Sequence, residues 1–161
     1  MRPDAQQFGR RANTSTISHG SSSSGPAALL TTTISDAHTW NLVFLQRWLE
    51  ESGLAVRNLG PCPPVGLVIA EATNVVPDLI VVSTVNGHGV NDGLQLIRAL
   101  RAVPSLRAIR VVIGGKLGIG LGGRRYRERL LSEGFSAVLD GEDGMSRLQT
   151  LLATLVVRGG K

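Results

Sequence analysis

Only one cysteine, Cys62, stands in 161 residues, so no internal disulfide can form and the chain suits a reducing compartment. Aromatic residues make up only 4%, which leaves Ala, Val, Leu, Ile and Gly to build the core of a chain that is 42% hydrophobic. Side chains of that size favour helices packed closely on a sheet. No apolar run reaches the ~20 residues that a membrane span needs, and the N-terminus lacks the hydrophobic segment of a secretory signal. A cytoplasmic protein with no membrane partner is expected. Acidic residues number 12 against 17 basic ones, which gives a net charge of +5 and a pI near 10.6. That balance permits an anionic ligand without requiring one, and no nucleic-acid partner is expected.

What is present divides at about Pro26. Residues 1–26 carry Arg10-Arg11, Thr14-Ser15-Thr16 and Ser21 to Gly25, with few apolar residues to offset the entropy of ordering. This stretch is expected to be a disordered tail. A transit peptide would need an amphipathic pattern, and none is visible. Residues 27–161 are of single-domain size and long enough to bury a core.

Within that domain the chain alternates. Strands are expected at Ala27–Ile34, Ala55–Leu59, Leu79–Ser83, Arg110–Ile113 and Ala137–Leu139. Helices are expected at Thr39–Ser52, Val65–Val76, Gly93–Val103, Arg124–Glu133 and Met145–Arg158, with Gly53, Pro104 and Gly134 as stop signals. The third strand is almost wholly β-branched, as a strand buried on both faces should be. Five strands alternating with five helices predict an α/β fold with a parallel sheet and helices on both faces. Right-handed crossovers and the chain length favour the flavodoxin-like (Rossmann-like) strand order 2-1-3-4-5.

Ligands of such sheets bind beyond the carboxyl ends of the strands, where the strand order reverses. Here that crevice falls between the first and third strands, bordered by Asp36 to Asn41 and by Ser83 to Asp92. The glycine-rich stretch from Gly114 to Gly123 follows the next strand. Asp36-Ala37-His38 can be a helix cap, or a ligand with its orienting carboxylate; alone, the tripeptide favours the cap. Gly118, Gly120 and Gly123 match G-x-G-x-x-G, with Asp140 near the distance of a ribose contact. Four residues separate that motif from its strand, however, and it does not follow strand one, so dinucleotide binding is disfavoured. Cys62, set between prolines, is expected to be packed. Leu42, Leu45 and Leu49 lie at core spacing on the first helix, and Trp40, Phe44 and Trp48 on a neighbouring face are also expected to pack inward.

Together these residues resemble the cobalamin-binding small subunit of the glutamate mutase (methylaspartate mutase) family. The family fingerprint is Asp-x-His-x-x-Gly, then Ser-x-Leu, then Gly-Gly. It falls on Asp36-Ala37-His38-Thr39-Trp40-Asn41, Ser83-Thr84-Val85 and Gly114-Gly115, and segment order agrees from about Ala27 to Val157. The resemblance implies a cobalamin-binding domain over residues 27–161 and adenosylcobalamin as cofactor. It implies that His38 is the lower axial ligand of cobalt, with Asp36 accepting from the other ring nitrogen. Ala37, Thr39, Asn41, Val85, Gly87, His88, Lys116 and Gly118 would line the cofactor. Ser83, Gly114 and Gly115 would admit its displaced nucleotide tail, and Gly118 to Gly123 would extend that wall.

This chain departs from the family pattern at Asn41, in place of the fingerprint glycine, and at Val85, in place of leucine. It also has Asn86, where the family tends to carry an aromatic, and Val90, in place of an acid. The family partner is a catalytic barrel, the large subunit, on which radical rearrangement of glutamate to 3-methylaspartate occurs. The expected function is therefore that of the cofactor-bearing subunit of such an isomerase, not catalytic alone. Alternatives are a methyltransferase module, a cobalamin carrier or sensor, and a flavodoxin-like module that binds no cobalamin.

Overall fold

A computed structural model of the chain describes residues 25–118 and 123–159. In order along the chain lie β1 (Ala27–Thr32), α1 (Thr39–Glu51), β2 (Ala55–Asn58), α2 (Val65–Val75) and β3 (Leu79–Thr84). There follow α3 (Gly89–Ala102), a single 3-10 turn (Pro104–Leu106), β4 (Arg110–Gly115), α4 (Gly123–Ser132), β5 (Ala137–Leu139) and α5 (Gly144–Gly159). All strand pairs are parallel and the order is β2-β1-β3-β4-β5, as the alternation predicts. The N-terminal tail expected over residues 1–26 lies outside the described residues, apart from Gly25 and Pro26.

Strand periodicity splits the core in two. Leu29, Ile80, Val82, Val111 and Ile113 face α2, α3 and α4, where Val68, Ile97, Leu100 and Leu130 meet them. Their neighbours Ala28, Leu30, Leu79, Val81 and Val112 face the opposite way, onto Leu42 and Leu49 of α1 and Leu148 and Leu152 of α5. All six residues of β3 are buried, so the central strand is covered on both sides. Each fully buried Leu, Ile or Val stabilises the fold by roughly 1.5–3 kcal/mol.

Local chemistry sets the boundaries. At the end of α1, Ser52 Oγ donates to Trp48 O (2.8 Å), and Gly53 takes φ +91° while Leu54 N bonds back to Leu49 O (3.1 Å). Extended backbone at Val103 and then Pro104 end α3. The guanidinium of Arg101 donates to the carbonyls of Leu106, Arg107, Ile109 and Gly134, which fastens α3 to the turns entering β4 and β5.

Several expectations are corrected. β1 stops at Thr32, two residues before Ile34, because the main chain turns where Asp36 N bonds to Thr33 O (3.1 Å). Gly114 and Gly115 belong to β4 and pair with Ser83 and Thr84; the glycine-rich stretch begins as strand. Helix α3 starts at Gly89, four residues before Gly93, because Asn86 Oδ1 catches His88 N (2.9 Å) and Asp92 in the first turn offsets the helix dipole. Cys62 is exposed and has φ +52°, since its N–H is drawn to Thr32 Oγ1 (2.9 Å) and Asp36 O (3.2 Å). On α1, Leu42 and Leu49 are buried and Leu45 and Trp48 half-buried, but Trp40 is 84% and Phe44 58% exposed. Trp40 sits in the first turn of the helix, and Phe44 lines a cavity beside the ends of the strands.

Candidate functional site

The site is built where β1 and β3 release their chains at the same edge of the sheet. Asp36, in the loop after β1, is fully buried. Its Oδ1 accepts from His38 N (3.0 Å) and contacts His38 Nδ1 (2.7 Å); its Oδ2 accepts from Val85 N (2.5 Å), in the loop after β3. Helix α1 has no side-chain cap, so neither Asp36 nor Thr39 plays that part. Burial alone would raise the Asp36 carboxyl. The main-chain N–H groups of His38 and Val85 and the His38 ring outweigh it and hold the group below the usual carboxylate range.

An ionised Asp36 accepts the proton on Nδ1, which leaves Nε2 as the ring nitrogen with a free lone pair. The His38 side chain is 59% exposed, and Nε2 has no partner among the described residues. The result is an oriented imidazole with its donor nitrogen turned out. No group of three or more His, Cys, Asp and Glu side chains that could hold a metal occurs among the described residues. A metal at His38 must therefore bring most of its other ligands with it.

Beside this pair, a cavity of about 220 Å³ opens between α1 and α5 over the ends of β3, β4 and β5. Ser83, Gly114 and Gly115 line its sheet side, Asn41 and Phe44 its α1 side, and Met145 and Leu148 its α5 side. The Ser83 hydroxyl makes no hydrogen bond among the described residues, so it is free to serve a guest. A Cβ on Gly115, at φ +106°, would stand 2.2 Å from Thr84 O, and one on Gly114 would stand 2.8 Å from Leu139 O. The sheet itself demands both glycines, and as a result the cavity wall carries no side chains there.

The structure thus joins Asp36, His38 and Val85 by hydrogen bonds, and gathers Asn41, Ser83, Gly114 and Gly115 around the cavity. The remaining sequence candidates are placed differently. Ala37 and Thr39 are exposed beside His38, and Gly87 (φ +81°) shapes the turn that precedes exposed His88. Lys116 is exposed and donates its N–H to Thr84 O (2.8 Å). Gly118 lies against Tyr126 and Val90, away from the cavity lining. Gly120 and the rest of residues 119–122 lie outside the described residues. Asp140, the ribose contact of the disfavoured dinucleotide reading, already accepts from Tyr126 OH (3.0 Å) and Arg127 (2.6 Å).

The sequence places Asn86 on the rim loop but does not reveal its bonds. Asn86 bridges the two loops, donating to Ser35 O (2.9 Å) and accepting from His88 N (2.9 Å). The Asn86-Gly87 pair signals a turn, but nothing local reveals that its carboxamide reaches 51 residues back.

Fold and site together define a flavodoxin-like α/β domain with an oriented histidine at the switch point and a cavity beside it. No family model matches the chain. It is similar to the glutamate mutase sigma subunit of Halobacterium salinarum, with 28% identity over 136 residues, 83% of this chain and 89% of the relative. Among solved structures it resembles a cobalamin-binding protein from Desulfitobacterium hafniense (TM-score 0.64, 20% identity), which it covers with 80% of its length. The chain spans 59% of that protein. The receiver domain of a sensor histidine kinase from Pseudomonas aeruginosa has the same fold (TM-score 0.59, 19% identity, 83% of this chain and 98% of the domain). The fold is therefore shared by proteins of different function, and the site has to carry the functional conclusion. No helix among the described residues is long and apolar enough to cross a membrane.

Proposed function

We propose that this chain is the cobalamin-binding subunit of an adenosylcobalamin-dependent carbon-skeleton mutase of the glutamate/3-methylaspartate type. It would work with a separate catalytic barrel subunit in the cytoplasm. The observation that carries this reading is the Asp36–His38 pair, 2.7 Å apart, with Nε2 unpartnered among the described residues and a cavity whose lining begins at Asn41, three residues on. The similarity to a glutamate mutase sigma subunit over most of both chains supports it.

The donor set fits the cofactor. One imidazole, with no cluster of further ligands among the described residues, suits a metal that arrives with most of its ligands. His38 would supply a nitrogen ligand to its cobalt. Asp36, held ionised, fixes the Nδ1–H tautomer and leaves Nε2 as the donor nitrogen. Ser83 would hydrogen-bond the nucleotide tail in the cavity, where Gly114 and Gly115 let it approach the main chain. Ala37, Thr39, Asn41, Val85, Gly87, His88, Lys116 and Gly118 would frame the corrin and tail from the surrounding loops. When bound, adenosylcobalamin supplies a weak cobalt–carbon bond as the source of radical chemistry. This chain's residues bind and orient that group; substrate binding falls to the partner.

Visible spectra of the purified protein soaked in adenosylcobalamin test the binding half. Wild type should retain the cofactor through gel filtration, and His38→Ala should not. Turnover of glutamate on adding a catalytic subunit tests the other half. A wild type that retains no cobalamin would remove this reading in favour of a domain that merely shares the fold.

A further inference from the structure

We propose that Asn86 is a positioning residue for His38, setting through the two rim loops where the imidazole stands. This rests on His38 being the cobalt ligand. The Asn86 carboxamide is used at both ends. Its Nδ2 donates to Ser35 O (2.9 Å) and to Ser35 Oγ (2.8 Å), and Ser35 Oγ in turn bonds to the Asp92 carboxylate in the first turn of α3. Its Oδ1 accepts from His88 N (2.9 Å) and Thr84 Oγ1 (3.3 Å).

Next to this contact runs a second, donated in the same direction. Asp36 follows Ser35 and accepts from Val85 N (2.5 Å), and Val85 precedes Asn86. Ser35-Asp36 thus faces Val85-Asn86 through two adjacent bonds, one donated from each residue of the β3 loop. Below them, Thr33 Oγ1 and Thr84 Oγ1 make another contact between the same two segments (3.3 Å). One bond would act as a pivot; two side by side set both separation and angle.

The consequence for His38 follows from its own contacts. Its side chain is more than half exposed, and among the described residues its only ring bond is to Asp36. The ring therefore stands where Asp36 is held, and Asp36 is held by its loop's attachment to the β3 loop. Asparagine is suited to this role because it offers two donors and an acceptor on a short stem. Aspartate keeps the acceptor, loses both donors and sets a third carboxylate near Asp36 and Asp92. An aromatic side chain at this position makes none of these bonds.

The full chain carrying Asn86→Ala or Asn86→Asp tests the proposal. Main-chain hydrogen exchange at His38 and Val85 should quicken about tenfold, the effect of losing one or two net hydrogen bonds, while Val81 and Val112 in the core strands stay unchanged. In protein made with ¹⁵N-histidine and saturated with cob(II)alamin, the fraction of bound cobalt carrying the histidine ligand, read as the doublet nitrogen splitting in electron paramagnetic resonance, should fall below the wild-type fraction. A merely structural role would lower the amount of folded protein without changing that fraction. Should either variant fail to fold, Ser35→Ala, which removes one Nδ2 partner and the link to Asp92, should show the same change in smaller measure. Wild-type ligation in all folded variants would overturn the proposal alone. Wild-type protein without an imidazole ligand on cobalt would overturn the reading of His38 and this proposal with it.

Discussion

Asp36 and Val85 are 49 residues apart in the chain, yet a carboxylate oxygen of one lies 2.5 Å from the main-chain nitrogen of the other. The same carboxylate holds the His38 ring, so a single buried side chain joins the loops after β1 and β3 and presents the imidazole between them. The orientation of the imidazole and the rim architecture are consequently one feature, and substitutions here should affect both together.

Asp36→Asn separates shape from charge. The side-chain oxygen that remains can serve His38, but the new NH2 then faces the Val85 N–H, donor against donor. We expect a loss of about 1–3 kcal/mol in stability by urea unfolding. Cobalamin affinity should fall roughly 10–100-fold by spectral titration, as for other residues that orient a metal ligand.

Gly115→Ala tests the wall of the cavity. The added Cβ would meet Thr84 O at 2.2 Å in a main chain already at φ +106°, so the end of β3 or of β4 must move. A loss of roughly 2–4 kcal/mol is expected, combining backbone strain with disturbed strand pairing. Urea unfolding reads the stability, and retention of cobalamin should drop alongside it.

Tyr126 is the only tyrosine in the chain, so ultraviolet titration of the phenol reports on one group. Burial first, and then its hydrogen bond to Asp140, push its ionisation above the ordinary value of 10.0. The folded state thus holds this proton more tightly than the unfolded chain does. The resulting stabilisation is complete below about pH 10 and is lost as pH rises through the folded-state value. Asp140→Asn should bring the titration back toward the ordinary value while leaving the part due to burial.

Trp40 offers a control in the other direction. At 84% exposure its side chain contributes little to the core. Trp40→Ser should leave the unfolding midpoint in urea close to that of wild type, a change within about 0.5 kcal/mol. A large loss would mean that α1 packs differently at its open end.

The sheet was legible because its determinants are local and periodic. Leu79–Ser83 reads as a doubly buried strand, and Gly53, Pro104 and Gly134 punctuate the helices where the structure ends them. Strand order alone puts the loops that carry Asp36 and His38 beside the end of β3, whereas the cavity that Ser83 and the glycine pair line opens over β3, β4 and β5. Less visible was whatever depends on partners distant in sequence. Gly114 and Gly115 read as loop because glycine signals a turn, but pairing with Ser83 and Thr84 extends β4 through them. Trp40 and Phe44 stand at helical spacing from Trp48, yet both are exposed, and Phe44 lines the cavity. Asn86 reads as half of a turn signal, whereas its carboxamide bonds to Ser35 across the crevice.

The central claim, that Nε2 of His38 is the axial nitrogen on cobalt, is tested most directly by electron paramagnetic resonance of bound cob(II)alamin. Protein made with natural-abundance histidine is compared with protein made with ¹⁵N-histidine. The account predicts a triplet nitrogen splitting on the cobalt lines that becomes a doublet on labelling, persists in His88→Ala and disappears in His38→Ala. A triplet that survives histidine labelling would assign the axial nitrogen to the cofactor's own base and contradict the account.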